Sequence, residues 1–171
     1  MFEMKLYTKI SLILLIPLFA GLTGCIKEEQ YPLEPKIEYK SYETYTAVDG
    51  KDSLGKITIS YTDGDGNIGL FSWDTVEPRK YNFYLKFMQL IDNKLVEVKP
   101  VDSSINFNAR IPILTPAGKN KNIKGDISMT LELYFAGQML QSDVIAFEIF
   151  IKDRDLNKSN VVETPMFTIK R

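Results

Sequence analysis

From residue 36 onward, apolar and polar side chains alternate with a period of two. Ile57, Ile59 and Tyr61 alternate with Thr58, Ser60 and Thr62, and Tyr81, Phe83, Leu85 and Phe87 with Asn82, Tyr84 and Lys86. The same pattern returns at Ile127, Met129, Leu131, Leu133 and Phe135, and at Ile145, Phe147, Ile149 and Ile151. Alternation of this kind marks strands with one face buried. It predicts strands at 37–46, 55–62, 80–91, 94–99, 104–111, 126–135, 143–152 and 161–170. No stretch in this region spaces its apolar residues as a helix would over three turns. Asp92-Asn93 separates two strands as a tight hairpin does, and 153–160 is a polar loop between two β-rich runs. Seven or eight strands fit an all-β, antiparallel, immunoglobulin-like or fibronectin-III-like sandwich spanning 36–171. A β-barrel is the alternative, because counting strands does not settle closure.

The first 24 residues follow a different rule. Lys5 and Lys9 precede the apolar run ISLILLIPLFA at 10–20. That run suits a signal-peptide core and falls short of the roughly 20 apolar residues that span a bilayer. It closes on Leu22-Thr23-Gly24-Cys25, which resembles the lipobox cut by the lipoprotein signal peptidase. The resemblance implies that 1–24 is a signal peptide and that Cys25 becomes an acylated first residue, anchored to a membrane by two or more chains. Residues 25–35 then form a tether, in which Pro32 and Pro35 favour an extended spacer. Lys27-Glu28-Glu29 resembles the charged signal that sends lipoproteins of Bacteroidota to the cell surface, and it equally suits a solvated tether.

Composition narrows the function. In 171 residues, 44% are hydrophobic and 25% charged, the balance of a folded domain. The net charge of −1 gives no basic excess for phosphate backbones, which argues against nucleic acid. The chain has no histidine, which removes imidazole catalysis and His-ligated zinc. Its one cysteine is Cys25, so the domain has neither a disulfide nor a thiol nucleophile.

Three segments, ITISYTDGDGNIGL at 57–70, ARIPILTPAGKNKNIKGDI at 109–127 and FEIFIKDRDLNKSNVVETPMFTI at 147–169, resemble a family of uncharacterised lipoproteins of Bacteroidota. The resemblance implies a surface or periplasmic lipoprotein with an Ig-like fold, and it implies no biochemical activity.

The candidate chemistry sits in two acidic loops. Gly64-Asp65-Gly66-Asn67-Ile68-Gly69 matches the GxGxxG dinucleotide fingerprint, but LFSWDTVEP is a poor sequence for the helix that fingerprint needs. Asp63, Asp65, Asn67 and Asp74 fall at positions one, three, five and twelve of a calcium loop. Ile68 replaces the glycine an EF-hand requires at position six, which leaves a helix-free calcium loop open. The alternative is a tight turn in which Gly64, Gly66 and Gly69 supply positive φ and the aspartates cap backbone amides. On strand order, 63–69 and 153–160 should meet at one end of the sandwich, where Asp63, Asp65, Asn67, Asp153 and Asp155 would share a calcium ion unless Arg154 and Lys158 neutralise them. Trp73, with Phe71 and Leu70, is either an exposed ligand platform or part of the core. Asp52-Ser53-Leu54 and Asp74-Thr75-Val76 resemble short O-glycosylation acceptors, a pattern that also recurs by chance.

These features lead us to expect an outer-membrane lipoprotein, on the periplasmic face or the cell surface, that acts as a non-enzymatic binding or accessory module for a protein or glycan. The alternative is a glycosidase-like enzyme, which needs only two carboxylates and a cleft.

Overall fold

The computed structural model describes residues 30–100, 105–114 and 122–171. The signal peptide expected at 1–24 and the lipidation expected at Cys25 lie outside the described residues. Two antiparallel sheets form a β-sandwich. In the first, β1 (Lys36–Thr46) pairs with β2 (Asp52–Asp63), and β2 pairs with β5 (Ile123–Glu132). In the second, β4 (Lys94–Glu97), β3 (Phe83–Ile91) and β6 (Val144–Ile151) lie side by side. Beside β6 run the short β7 (Val162–Glu163) and β8 (Phe167–Thr168). The sheets stay separate, so the barrel alternative does not apply.

The period-two pattern explains the packing. Ile57, Ile59 and Tyr61 of β2 turn inward onto Phe83, Leu85 and Phe87 of β3 and Ile145, Phe147, Ile149 and Ile151 of β6 in one apolar core. Each such side chain contributes roughly 1.5–3 kcal/mol by leaving water. Aromatic rings join the layers: Tyr42 of β1 lies 5.5 Å from Phe147 and 4.4 Å from Phe167, and Phe147 lies 5.1 Å from Phe87. Asp92 and Asn93 adopt the positive φ of a two-residue hairpin between β3 and β4, as expected.

Three expected strands depart from the structure, each for a stated reason. Of the strand expected at 104–111, the described residues 105–111 make one bridge, at Ala109, and no strand. Side-chain amides take the place of a ladder there: Asn82 accepts from the Ile111 N–H and donates to its carbonyl, and Asn108 accepts from the Leu85 N–H. The strand expected at 126–135 ends at Glu132, where the ladder with β2 runs out at Leu54. The chain then turns into a five-residue helix, α1 (Leu133–Gly137), which buries Leu133 and Ala136 and exposes Tyr134 and Phe135. The run at 161–170 splits into β7 and β8 around Pro165, which has no N–H to donate. At that break the buried Thr164 uses its hydroxyl as acceptor for the Phe147 N–H.

One end of the sandwich collects most of the irregular chain. The start of β1, the segment 63–82, residues 109–113 and the loop after β6 all lie there, because β1 begins opposite Thr62 and β3 begins opposite Ile151. Glycines allow the crowding. Gly64 donates its N–H to Pro32 O at 2.8 Å, and a Cβ at Gly64 would come within 2.5 Å of that oxygen. Gly69 has φ +108°, and its Cβ would overlap the carbonyl of Pro112. Gly66 also has positive φ, whereas Gly64 is required for close approach rather than for its dihedral.

Gly69→Ala should therefore destabilise the domain by about 1–3 kcal/mol or more, through overpacking and a strained φ. Gly50→Ala, at a positive φ in open space, should cost less. Urea melts of the two variants test the order, and equal midpoints would refute it.

Candidate metal centre

Both acidic loops start where an inner strand ends. Asp63 is the last residue of β2, and Asp153 lies two residues beyond the end of β6. Adjacent strands of facing sheets deliver both carboxylates to the seam, where Asp63 and Asp153 are 0% and 1% exposed. Each loop closes on itself in the same way. The Asn67 N–H donates to Asp63 Oδ2 at 2.9 Å, and the Asn157 N–H donates to Asp153 Oδ1 at 2.8 Å. A second bond from Asn157 Nδ2 to Asp153 Oδ2, at 2.8 Å, fixes the plane of that carboxylate.

The loops then join. Asn67, 3% exposed, donates from Nδ2 to Asp65 Oδ2 and to Asp155 Oδ2, both at 2.9 Å. Carboxylate oxygens of Asp63, Asp65 and Asp153 all lie within 4.8 Å of one another. All five residues expected to converge do so, with Asp155 bound through the Asn67 amide. Asp74, the twelfth position of the calcium-loop spacing, stays outside and caps the Phe71 N–H of its own turn. No helix follows Gly69, so the dinucleotide fingerprint lacks its partner element.

Among the described residues, two buried oxygens in this cluster have no hydrogen-bond partner: Asp63 Oδ1 and Asn67 Oδ1. Buried acceptors are nearly always satisfied, and leaving one unmade costs about 1–3 kcal/mol. The expected neutralisation by nearby bases does not occur. Arg154 donates from Nη1 to Gly69 O at 3.1 Å and lies over the Phe71 ring, while Lys158 Nζ sits 4.1 Å from the centre of the Phe150 ring. Neither makes an ion pair with these acids.

The electrostatics follow from this arrangement. Burial, then the charge of Asp65, pushes the Asp63 carboxyl up to about 6, despite the amide bond from Asn67 and the nearby Ile68 amide, both of which favour its charged form. Burial also raises Asp153, against the bonds from Asn157, with the charges of Asp65 and Asp155 adding to the rise. Two unit charges about 4 Å apart repel by about 4 kcal/mol at an effective dielectric near 20. Protonation or a cation relieves that repulsion. The oxygen-only donor set suits a hard cation such as calcium, which takes 6–8 oxygens at about 2.3–2.6 Å. Two ligands of one such ion lie at most about 5 Å apart, and the carboxylate spacing meets that limit. Acid/base work on a substrate is a poor fit, because Asp63 and Asp153 have no surface to present to one. A hollow of about 630 Å³ is lined instead by Tyr31, Lys36, Tyr61 and Asp126 at the sheet of β1, β2 and β5.

Trp73 belongs to the surface, 71% exposed, stacked on Phe71 with ring centres 4.6 Å apart; Leu70 is buried and not part of the platform. The orienting role of Asn157 was not anticipated. Its signal was present, since Asp63-Gly-Asp65-Gly-Asn67 and Asp153-Arg-Asp155-Leu-Asn157 share one D-x-D-x-N pattern, and the first Asp of each caps the Asn. Comparison of the chain with protein-family models, curated proteins and solved structures gave no match.

An Asp whose folded pKa exceeds its unfolded value near 3.9 keeps its proton longer in the native state. With chelator present, the stability Asp63 contributes is full below about pH 4 and lost as pH rises through about 6. Chemical denaturation from pH 4 to 7.5 should show that decline, and Asp63→Asn should flatten it. An equally steep decline in the variant would remove Asp63 as its source.

Proposed function

We propose that this chain is a membrane-anchored envelope lipoprotein whose sandwich acts as a non-enzymatic binding or accessory module, and that a calcium ion organises its loop end. The observation that carries the calcium reading is the pair of buried oxygens, Asp63 Oδ1 and Asn67 Oδ1, which have no hydrogen-bond partner among the described residues, in a cluster of three carboxylates with which no described base forms an ion pair. Asp63, Asp65, Asn67 and Asp153 are the donors that would hold the ion. Bound there, it supplies positive charge and oxygen coordination, and it ties the loop after β2 to the loop after β6. A frame of this kind presents loops rigidly to a protein or glycan ligand. The anchor rests on Leu22-Thr23-Gly24-Cys25 and on the apolar run before it.

Ligands that bind only the native state stabilise it by mass action, about 2.7 kcal/mol at a hundredfold excess over Kd. Millimolar calcium should therefore raise the melting temperature by several degrees relative to chelator. Asp65→Asn and Asn67→Ala should each erase most of that rise, while Asp74→Asn, outside the cluster, should keep it. Identical melting of the wild type in calcium and in chelator would leave the two loops as self-capped turns.

The anchor is tested separately. Cys25→Ser should lose its acyl chains by mass spectrometry and move from the membrane to the soluble fraction. Acylation that persists in the variant would overturn the lipobox assignment.

A further inference from the structure

The tether enters the sandwich at the loop end. The Gly64 N–H is bonded to Pro32 O, and β1 begins at Lys36 opposite Thr62, one residue before Asp63. Cys25 precedes Tyr31 by six residues, a stretch that covalent geometry limits to about 22 Å in any conformation. The 12 residues of β2 run the length of the domain, and their span is about 36–40 Å. An anchor at Cys25 is thus too short for the far end, with the turn at 47–50, to stand on the bilayer. The loop end is the end held at the membrane.

That end carries a preorganised apolar projection. The Phe71 and Trp73 rings are parallel within 6°, and Val76 in the same loop is 73% exposed. The Arg110 guanidinium braces the loop from behind, donating to the carbonyls of Phe71 and Lys80, both at 2.8 Å, and to that of Asp74. The Arg154 guanidinium lies over the Phe71 ring, 5.3 Å from its centre, and Arg79 Nε donates to Arg154 O at 3.0 Å. Such bracing leaves the indole face open to the outside and ordered before any contact. Trp is the residue most suited to the boundary between headgroups and acyl chains, and neighbouring Arg79 and Lys80 suit lipid phosphates.

We propose that the loop end of this sandwich rests on the lipid surface, with the Phe71–Trp73 pair entering the interfacial layer of the bilayer. The proposal rests on the lipid anchor at Cys25 proposed above and not on the calcium ion. It assigns Trp73 to lipid rather than to a glycan or a protein ligand, and it leaves the opposite end, with Tyr45, Val48 and Tyr134, facing away from the membrane.

Trp73 is the only tryptophan in the chain, so it reports its own environment. The full chain, processed in a lipoprotein-competent host, is reconstituted into vesicles of phosphatidylethanolamine and phosphatidylglycerol and recovered by flotation. Brominated acyl chains should reduce Trp73 emission relative to unbrominated vesicles, and acrylamide should quench it less than in detergent. In Trp73→Phe combined with Tyr45→Trp, the reporter moves to the far end and should be insensitive to bromine. Protein that floats but leaves Trp73 unquenched by bromine and open to acrylamide overturns the docking while leaving the anchor intact. Equal bromine quenching at positions 45 and 73 overturns it too, since no end would then be preferred. Protein that fails to float removes the anchor itself, and the docking with it. A soluble oligosaccharide that shifts Trp73 emission in floated vesicles, with no bromine quenching, reassigns the platform to glycan.

Discussion

The burial of Asp63 constrains the rest of this molecule. It ends β2 at the seam of the two sheets, with one oxygen bonded to the Asn67 amide and the other without a hydrogen-bond partner among the described residues. A carboxylate placed there demands either a proton or a cation, because desolvation and the neighbouring charge of Asp65 both oppose its ionised form. Much of the loop end can be understood as a response. Asn67 orients its amide toward Asp65 and Asp155, Asn157 fixes Asp153, and the bases in the vicinity are spent on carbonyls and rings. An acidic pocket with its donors fixed and its bases turned away has the chemistry of a cation site rather than of an ion-pair network.

A second constraint is that buried backbone groups must be paired even where strands stop. This protein meets it with asparagine side chains. Asn82 bonds both backbone groups of Ile111, and Asn160 does the same for Ile37, joining the start of β1 to the loop after β6. Both contacts lie near the loop end, where the ladders run out. They hold the segments 109–113 and 160–161 against the sandwich without adding a strand to either sheet, and they set the frame on which the aromatic loop at 71–80 is braced. The rigidity of the Phe71–Trp73 pair thus comes from the same source as the convergence of the acids: polar side chains that substitute for missing backbone partners.

The position of the tether links this architecture to location. Since β1 enters beside Asp63, the anchor proposed at Cys25, six residues before Tyr31, would draw the acidic and aromatic end toward its membrane. The calcium site and the lipid-facing pair are separate proposals, yet they share loops. Asp153 and Asp155 flank the Arg154 that covers Phe71. Order imposed on the one loop is therefore transmitted by direct contact to the other.

The sequence by itself determined an all-β fold, because a period of two along β2, β3, β5 and β6 leaves each strand one apolar face to bury, whereas the choice of a sandwich over a closed barrel came from the pairing of the sheets. It determined the hairpin at Asp92-Asn93 and the meeting of the two acidic loops, since strand order places both at one end. Tertiary structure decided the rest. Alternation at Leu133 and Phe135 reads as strand, but the chain leaves the ladder with β2 after the Leu54–Glu132 pair, and the run before Ile111 reads as strand because Asn side chains that replace a ladder leave no periodic trace. Trp73 is silent in sequence, since its burial depends on which segment crosses its loop. The fate of Arg154 and Lys158 was equally illegible: charge near acids suggests neutralisation, but only three-dimensional packing set them over Phe71 and Phe150. That outcome left the carboxylates without a base, and it depends on distances that no spacing along the chain encodes.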